Sequence, residues 1–172
     1  MKPFTRPFSL LLAACICGLP LAARAAGCPE LERFLGTWQS SGNFVDSPYS
    51  KASAATATTA CDWSTDRLFM ICQQSVTQNG TTQDDLGIYS CDEAANAYHF
   101  YNVRPSQGAS VTLTIEGKTV TYMSSVSDNG NAVMIRTLNV WDGPSQYHWR
   151  TEYSTNGGSA WTLMASGISQ LR

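Results

Sequence analysis

The run VTLTIEGKTVTYMSSVSDNGNAVMIRT, residues 111–137, holds two turn signals between three stretches in which apolar and polar side chains alternate. A tight turn at Gly117-Lys118 sets Ile115 opposite Val120, Leu113 opposite Tyr122 and Val111 opposite Ser124. The other face is then Thr112, Thr114, Glu116, Thr119 and Thr121. Such alternation marks antiparallel strands buried on one side only. Asn129-Gly130 is a preferred two-residue hairpin pair, because its turn needs positive φ at both positions. Turning there, Val126 meets Val133, Ser124 meets Ile135 and Tyr122 meets Thr137. Three consecutive strands thus agree on one inward face.

The same reading extends in both directions. From Gly36 onward turn signals recur every eight to twelve residues and no segment keeps a helical period, which predicts a meander of antiparallel strands. The strands are expected at Gly36–Val45, Ala54–Trp63, Leu68–Gln78, Thr81–Cys91, Ala97–Val103, Ser110–Glu116, Thr119–Ser127, Asn131–Trp141, Gln146–Tyr153 and Ala160–Leu171. About Asn79-Gly80, Ile71 faces Ile88 and Cys72 faces Gly87. Before the strands, Cys28 to Leu35 reads as one or two helical turns, with Leu31, Phe34 and Leu35 on one side. Phe34-Leu35-Gly36-Thr37-Trp38 then opens the first strand, and a tryptophan there can plug the base of a closed barrel. The expected fold is all-β: an up-and-down antiparallel meander of about 8–10 strands closing into a barrel, with a short N-terminal helix.

Residues 1–25 have the form of a signal peptide. Lys2 and Arg6 precede an apolar stretch from Phe8 to Leu21, and Ala23-Arg24-Ala25 offers a small-x-small cleavage site. The apolar run is too short to span a bilayer comfortably. A single domain of residues 26–172 is left, which puts the chain in the periplasm or outside the cell. Leu12-Ala13-Ala14-Cys15 also resembles a lipid-attachment box, so a lipoprotein anchored through Cys15 is the competing expectation. Cleavage after Ala25 removes three of the 11 basic residues (Lys2, Arg6, Arg24) and none of the 13 acidic ones, leaving 8 against 13 and a formal charge of −5. No basic run survives, which argues against nucleic acid or an anionic membrane surface as partner.

Four cysteines follow residue 25, an even set suited to an oxidising compartment. Cys61 and Cys72 are symmetric about Asp66-Arg67, so a hairpin turning there sets them side by side. Gly87, across from Cys72, leaves room on that face. Cys28 and Cys91 pair by elimination, at one end of an up-and-down barrel. Chain-entropy reasoning gives roughly 3 kcal/mol for the short loop and roughly 4 for the long one.

At this point the residues resemble the lipocalin-like (calycin) barrels, and within them a family of small bacterial secreted proteins of unknown function. The resemblance is carried by Phe34-Leu35-Gly36-Thr37-Trp38, by Gly87-Ile88-Tyr89-Ser90 with Asp92 and Tyr98, and by Glu152-Tyr153-Ser154 leading to Gly157 and Trp161. It implies a barrel with a central cavity and a non-enzymatic role, either ligand binding or one not yet defined for the family. It also implies that Trp38 packs under a basic residue of the last strand, for which Arg172 is positioned. Nitrobindins, haem-binding barrels, have a similar opening. Their glycines alternate after the tryptophan, whereas here Ser40 breaks the run and only Gly42 fits. Their late histidine ligand would correspond to His148.

Chemistry-bearing motifs are absent beyond residue 25: no Gly-x-Ser-x-Gly elbow, His-Glu-x-x-His, Cys-x-x-Cys or phosphate-cradling glycine loop occurs. His99 reads as an ordinary strand histidine, and Asp84-Asp85 as the solvated part of a strand. Asp128-Asn129-Gly130-Asn131 lacks the later glutamate of a calcium loop. No catalytic residue, metal or cofactor is expected. The informative ambiguity is Gln146 to Tyr153. If the turn at Gly143-Pro144 has two residues, Asn139 pairs with His148 and Thr137 with Arg150, and His148, Arg150 and Glu152 enter the cavity as a polar anchor. An odd loop shifts the register by one and brings Tyr147, Trp149, Thr151 and Tyr153 inward instead. The second arrangement avoids burying three ionisable side chains.

The expected function is binding of a small, largely apolar or amphipathic molecule, with Tyr122, Ile135, Thr137 and Trp149 as walls and His148 or Arg150 as anchor. Two other classes compete with it. One is a cavity isomerase or hydrolase using His148 and Glu152 as acid and base. The other is an interaction module whose barrel is filled by its own side chains, with Tyr147 and Trp149 exposed.

Overall fold

The structure, a computed structural model, describes residues 28–92, 94–103 and 110–172. The expected signal segment and Cys15 lie outside the described residues. After a six-residue 3-10 helix, η1 (Pro29–Phe34), come ten strands: β1 (Gly36–Phe44), β2 (Ser53–Trp63), β3 (Met70–Gln78), β4 (Thr81–Asp92), β5 (Ala97–Val103), β6 (Ser110–Glu116), β7 (Thr119–Asp128), β8 (Asn131–Gly143), β9 (Gln146–Ser154) and β10 (Thr162–Leu171). Each strand pairs antiparallel with the next, and β10 pairs with β1, so the sheet closes into a barrel with no free edge. All ten expected strands form, with ends moved by no more than two residues.

Local chemistry sets the register. Asn79 and Gly80 have φ of 51° and 73°, and Asn129 and Gly130 of 49° and 83°, the positive pairs that a two-residue hairpin requires. Accordingly Ile71 pairs with Ile88 and Cys72 with Gly87. Leu113 pairs with Tyr122, and Tyr122 pairs with Thr137. Cys61 pairs with Cys72 across β2 and β3. The structure forms the disulfides Cys61–Cys72 and Cys28–Cys91.

Because every connection reverses direction, turns alternate between the two ends. The base carries η1, the β2–β3 connection, Gly117-Lys118 and Pro144-Ser145. The mouth carries the β1–β2 loop, Asn79-Gly80, Asn129-Gly130 and the β9–β10 loop. Pro29 starts η1, whose Leu31 and Phe34 are buried, and the Cys28–Cys91 bond fixes it beneath the barrel. Trp38, 2% exposed, donates its indole N–H to the Phe34 carbonyl at 2.9 Å and packs against Trp141 and Tyr147.

The arginine at this end is not the expected one. Trp38 sits opposite Leu171, and Arg172 is exposed, joined to the sheet by its backbone N–H to the Thr37 carbonyl. Strand alternation puts that position on the opposite face from Trp38. Arg33 takes the place: its guanidinium lies 5.3 Å over the Trp141 ring and donates to the Gly117 carbonyl at 2.9 Å.

Candidate functional site

The barrel encloses a cavity of about 630 Å³. Its floor is the base cluster of Phe34, Trp38 and Tyr147, with Cys61 at the side. Above this, β4 through β8 supply an aromatic and aliphatic wall of Tyr89, Phe100, Val111, Tyr122 and Ile135. Tyr89 and Phe100 lie 4.6 Å apart, and Phe100 and Tyr122 meet edge-on at 5.2 Å. The β2–β4 side is polar, with Thr59, Gln74, Gln78, Gln83 and Asp85 lining the cavity. Gln74 donates to the Thr59 hydroxyl at 2.9 Å, and Gln78 to the Ser53 hydroxyl at 2.6 Å. The cavity is therefore amphipathic across its width.

The tyrosine hydroxyls are held neutral. Burial pushes the Tyr89 and Tyr122 phenols well above their ordinary value, and their oxygens share one hydrogen bond of 3.0 Å. Burial also raises Tyr147, against which hydrogen bonds to Ser169 and Ser40 work in part. Ser40 in turn donates to Ser169 at 2.8 Å. The serine that interrupts the alternating glycines of the opening motif thus belongs to a polar set at the cavity floor.

The β8–β9 register decides which side chains meet in the cavity. Gly143 pairs with Gln146, but Trp141 pairs with Tyr147, because Asp142 is an extra residue in β8. That bulge moves every later pair by one: Asn139 faces Trp149, Val140 faces His148, Leu138 faces Arg150 and Arg136 faces Glu152. Tyr122, Ile135, Thr137 and Trp149 line the cavity together with Tyr147 and Thr151. His148 and Arg150 do not. His148 lies on the outer face beside the Asp142 carboxylate at 2.9 Å. Arg150 and Arg136 flank Glu152 at 3.5 and 2.6 Å, also outside. The polar anchor expected from His148 or Arg150 is corrected accordingly. His99 is exposed on β5. With both histidines outside, the residues do not fit a haem held through a histidine, and the late histidine of the haem-binding resemblance has no counterpart here.

Asp84-Asp85 is also corrected from a solvated pair. Asp84 faces out and accepts from the Ser75 hydroxyl at 2.6 Å, whereas Asp85 faces the cavity with one carboxylate oxygen fully buried. The signal was present in the Cys72–Gly87 pair: an inward Gly87 makes Asp85 and Gln83 inward by alternation.

Trp149 has a made seat. Gly42 pairs with Gly167, and Gly167 with Trp149. A Cβ at Gly42 would lie 2.4 Å from Cζ2 of the indole, and one at Gly167 2.5 Å from the same atom. Two neighbouring strands give up their side chains so that the ring can lie against the backbone.

No family model matches the chain, and no curated protein matches it. Among solved structures it is similar to the crystal structure of Rv2717c from M. tuberculosis, with 13% identity and a TM-score of 0.57 over 84% of this chain and 98% of that one. The structure of EF1p2_mFAP2b bound to DFHBI aligns more loosely, with 13% identity and a TM-score of 0.43 over 83% of this chain and 97% of that one. At these identities the likeness to Rv2717c bears on the fold alone, and this chain is a ten-stranded closed antiparallel barrel.

Proposed function

We propose that the chain is an exported, lipocalin-like barrel that carries one small, largely apolar molecule in its cavity. The observation behind this reading is a barrel interior of about 630 Å³ with an aromatic wall and a plugged base. Ligand pockets are typically about 300–1,000 Å³, mostly apolar with a few placed polar groups. The two disulfides fit an oxidising compartment, and the 1–25 segment supplies the route there. Cleavage after Ala25 is preferred over anchoring at Cys15, since it leaves the cysteines in two bonded pairs.

The competing classes lose their supporting residues. A cavity enzyme built on His148 and Glu152 needs both inside, and β9 turns both outward. A filled module needs a solid interior with Tyr147 and Trp149 exposed, whereas both line the cavity. Protein purified from the periplasm without denaturation should show, by native mass spectrometry, a small non-covalent adduct, or bind a neutral apolar probe with quenching of tryptophan fluorescence. A barrel that is always empty and unresponsive to apolar probes would overturn the reading.

A further inference from the structure

The cavity is not shaped for apolar chains in general. An inward tryptophan in a small barrel ordinarily projects across the interior and fills it. Trp149 instead rests on the backbone at Gly42 and Gly167, where a Cβ would come within 2.4 and 2.5 Å of Cζ2. The indole packs on that bed and still lines the cavity, so it presents aromatic surface to the interior.

The wall across the barrel carries two amides and a carboxylate. In the ten-strand order, β4 stands five places from β9, so Gln83 and Asp85 line the side of the barrel away from Trp149, with Gln74 beside them on β3. Gln74, which lines the cavity, donates one amide N–H to Thr59 and carries a carbonyl oxygen able to accept. Toward the base, the Tyr89–Tyr122 pair from β4 and β7 also lines the cavity. Two neutral hydroxyls joined by one hydrogen bond retain one further proton to donate. An aliphatic chain would desolvate these groups and satisfy none of them, which costs affinity.

We propose that the cavity selects an uncharged, planar, fused-ring heteroaromatic molecule that stacks on Trp149 and turns a hydrogen-bonding edge toward Gln74 and Gln83. This rests on the carrier reading above and narrows it to one ligand class. Offset stacking on an indole supplies affinity beyond area burial. A site built to hydrogen-bond a ligand discriminates against analogues that lack the bonding group.

The test uses the intact, disulfide-bonded protein and four probes: lumichrome as a neutral fused-ring heteroaromatic, anthracene as a ring system with no hydrogen-bonding edge, and 1-dodecanol and dodecanoic acid as aliphatic chains. Lumichrome should quench tryptophan fluorescence and bind at least about tenfold more tightly than either aliphatic probe. Trp149→Leu should weaken lumichrome by about tenfold or more and leave dodecanol unchanged. Gln74→Leu with Gln83→Leu, on the far wall, should narrow the preference for lumichrome over anthracene by a similar factor. This second variant keeps the test decisive if Trp149→Leu fails to fold. Aliphatic probes binding as tightly as lumichrome would overturn the inference and leave the carrier reading standing. Lumichrome binding that is indifferent to both variants would overturn it too. If no probe binds, the carrier reading itself falls.

Discussion

A buried phenol is cheap to keep only while it keeps its proton. Tyr89, Tyr122 and Tyr147 all have their ionisation pushed above the ordinary value of 10.0, chiefly by burial. Below pH 10 folded and unfolded chains hold the same tyrosine protons, so the contribution is fully present. Above pH 10 the unfolded chain releases protons that the folded chain retains, and stability falls with rising pH until the folded values are reached. Each such tyrosine costs up to about 1.4 kcal/mol per pH unit across that window. The urea midpoint is therefore expected to fall steeply between about pH 10 and 11 in the native protein, and less steeply in Tyr122→Phe. Equal slopes for the two would refute this account. The same residue scale explains Ser40, Gly42 and Gly167. The first bonds the floor hydroxyls and the other two make room for an indole, so the glycine that the opening motif keeps has a packing reason.

Most strand pairings were legible in the sequence because the turns that set them are short and chemically explicit. Asn79-Gly80, Gly117-Lys118 and Asn129-Gly130 each admit one register, and alternation then propagates it through Cys72–Gly87 and Tyr122–Thr137. The β8–β9 connection is different. Its two-residue turn, Pro144-Ser145, is paired with a bulge at Asp142, and nothing in the residue types separates a bulge from a plain strand end. The irregularity between Leu163 and Ala165, centred on buried Met164, was illegible for the same reason. The cavity composition hangs on the first of these bulges. Deleting Asp142 takes out the extra residue and leaves Gly143 opposite Gln146 and Trp141 opposite Tyr147 in a regular hairpin, so Trp149 is expected to keep its glycine bed and probe binding to persist. Single alanine substitution at Asp142, which keeps the bulge, should change the urea midpoint by less than about 1 kcal/mol equivalent. Loss of probe binding in the deletion, with the alanine variant native, would show that the pairs beyond the bulge are not fixed as described.

Closing ten strands leaves no edge to protect, but it leaves two ends, and the molecule treats them differently. The mouth is crossed only in part: Tyr49 of the β1–β2 loop reaches the rings and carboxylates of the far rim, meeting Tyr153 at 4.9 Å and Asp128 at 3.4 Å. The base is shut by η1, whose Phe34 stacks on Tyr89 at 5.0 Å and meets Trp141 edge-on at 5.2 Å. A six-residue 3-10 helix has little intrinsic stability. Its position depends on Arg33 above and on Cys28–Cys91, which ties the start of η1 to the end of β4 across 63 residues. The two disulfides should therefore fail differently. Replacing Cys61 and Cys72 by alanine removes a short loop between strands already paired, costing roughly 3 kcal/mol with η1 still in place. Replacing Cys28 and Cys91 by serine should cost roughly 4 kcal/mol and also release the plug. Amide exchange would then rise selectively at Leu31 to Trp38, tryptophan emission would shift to the red as Trp38 and Trp141 meet water, and any bound probe would dissociate faster. If exchange and emission stay native in the Cys28 and Cys91 variant while the urea midpoint drops, η1 is held by its aromatic contacts alone.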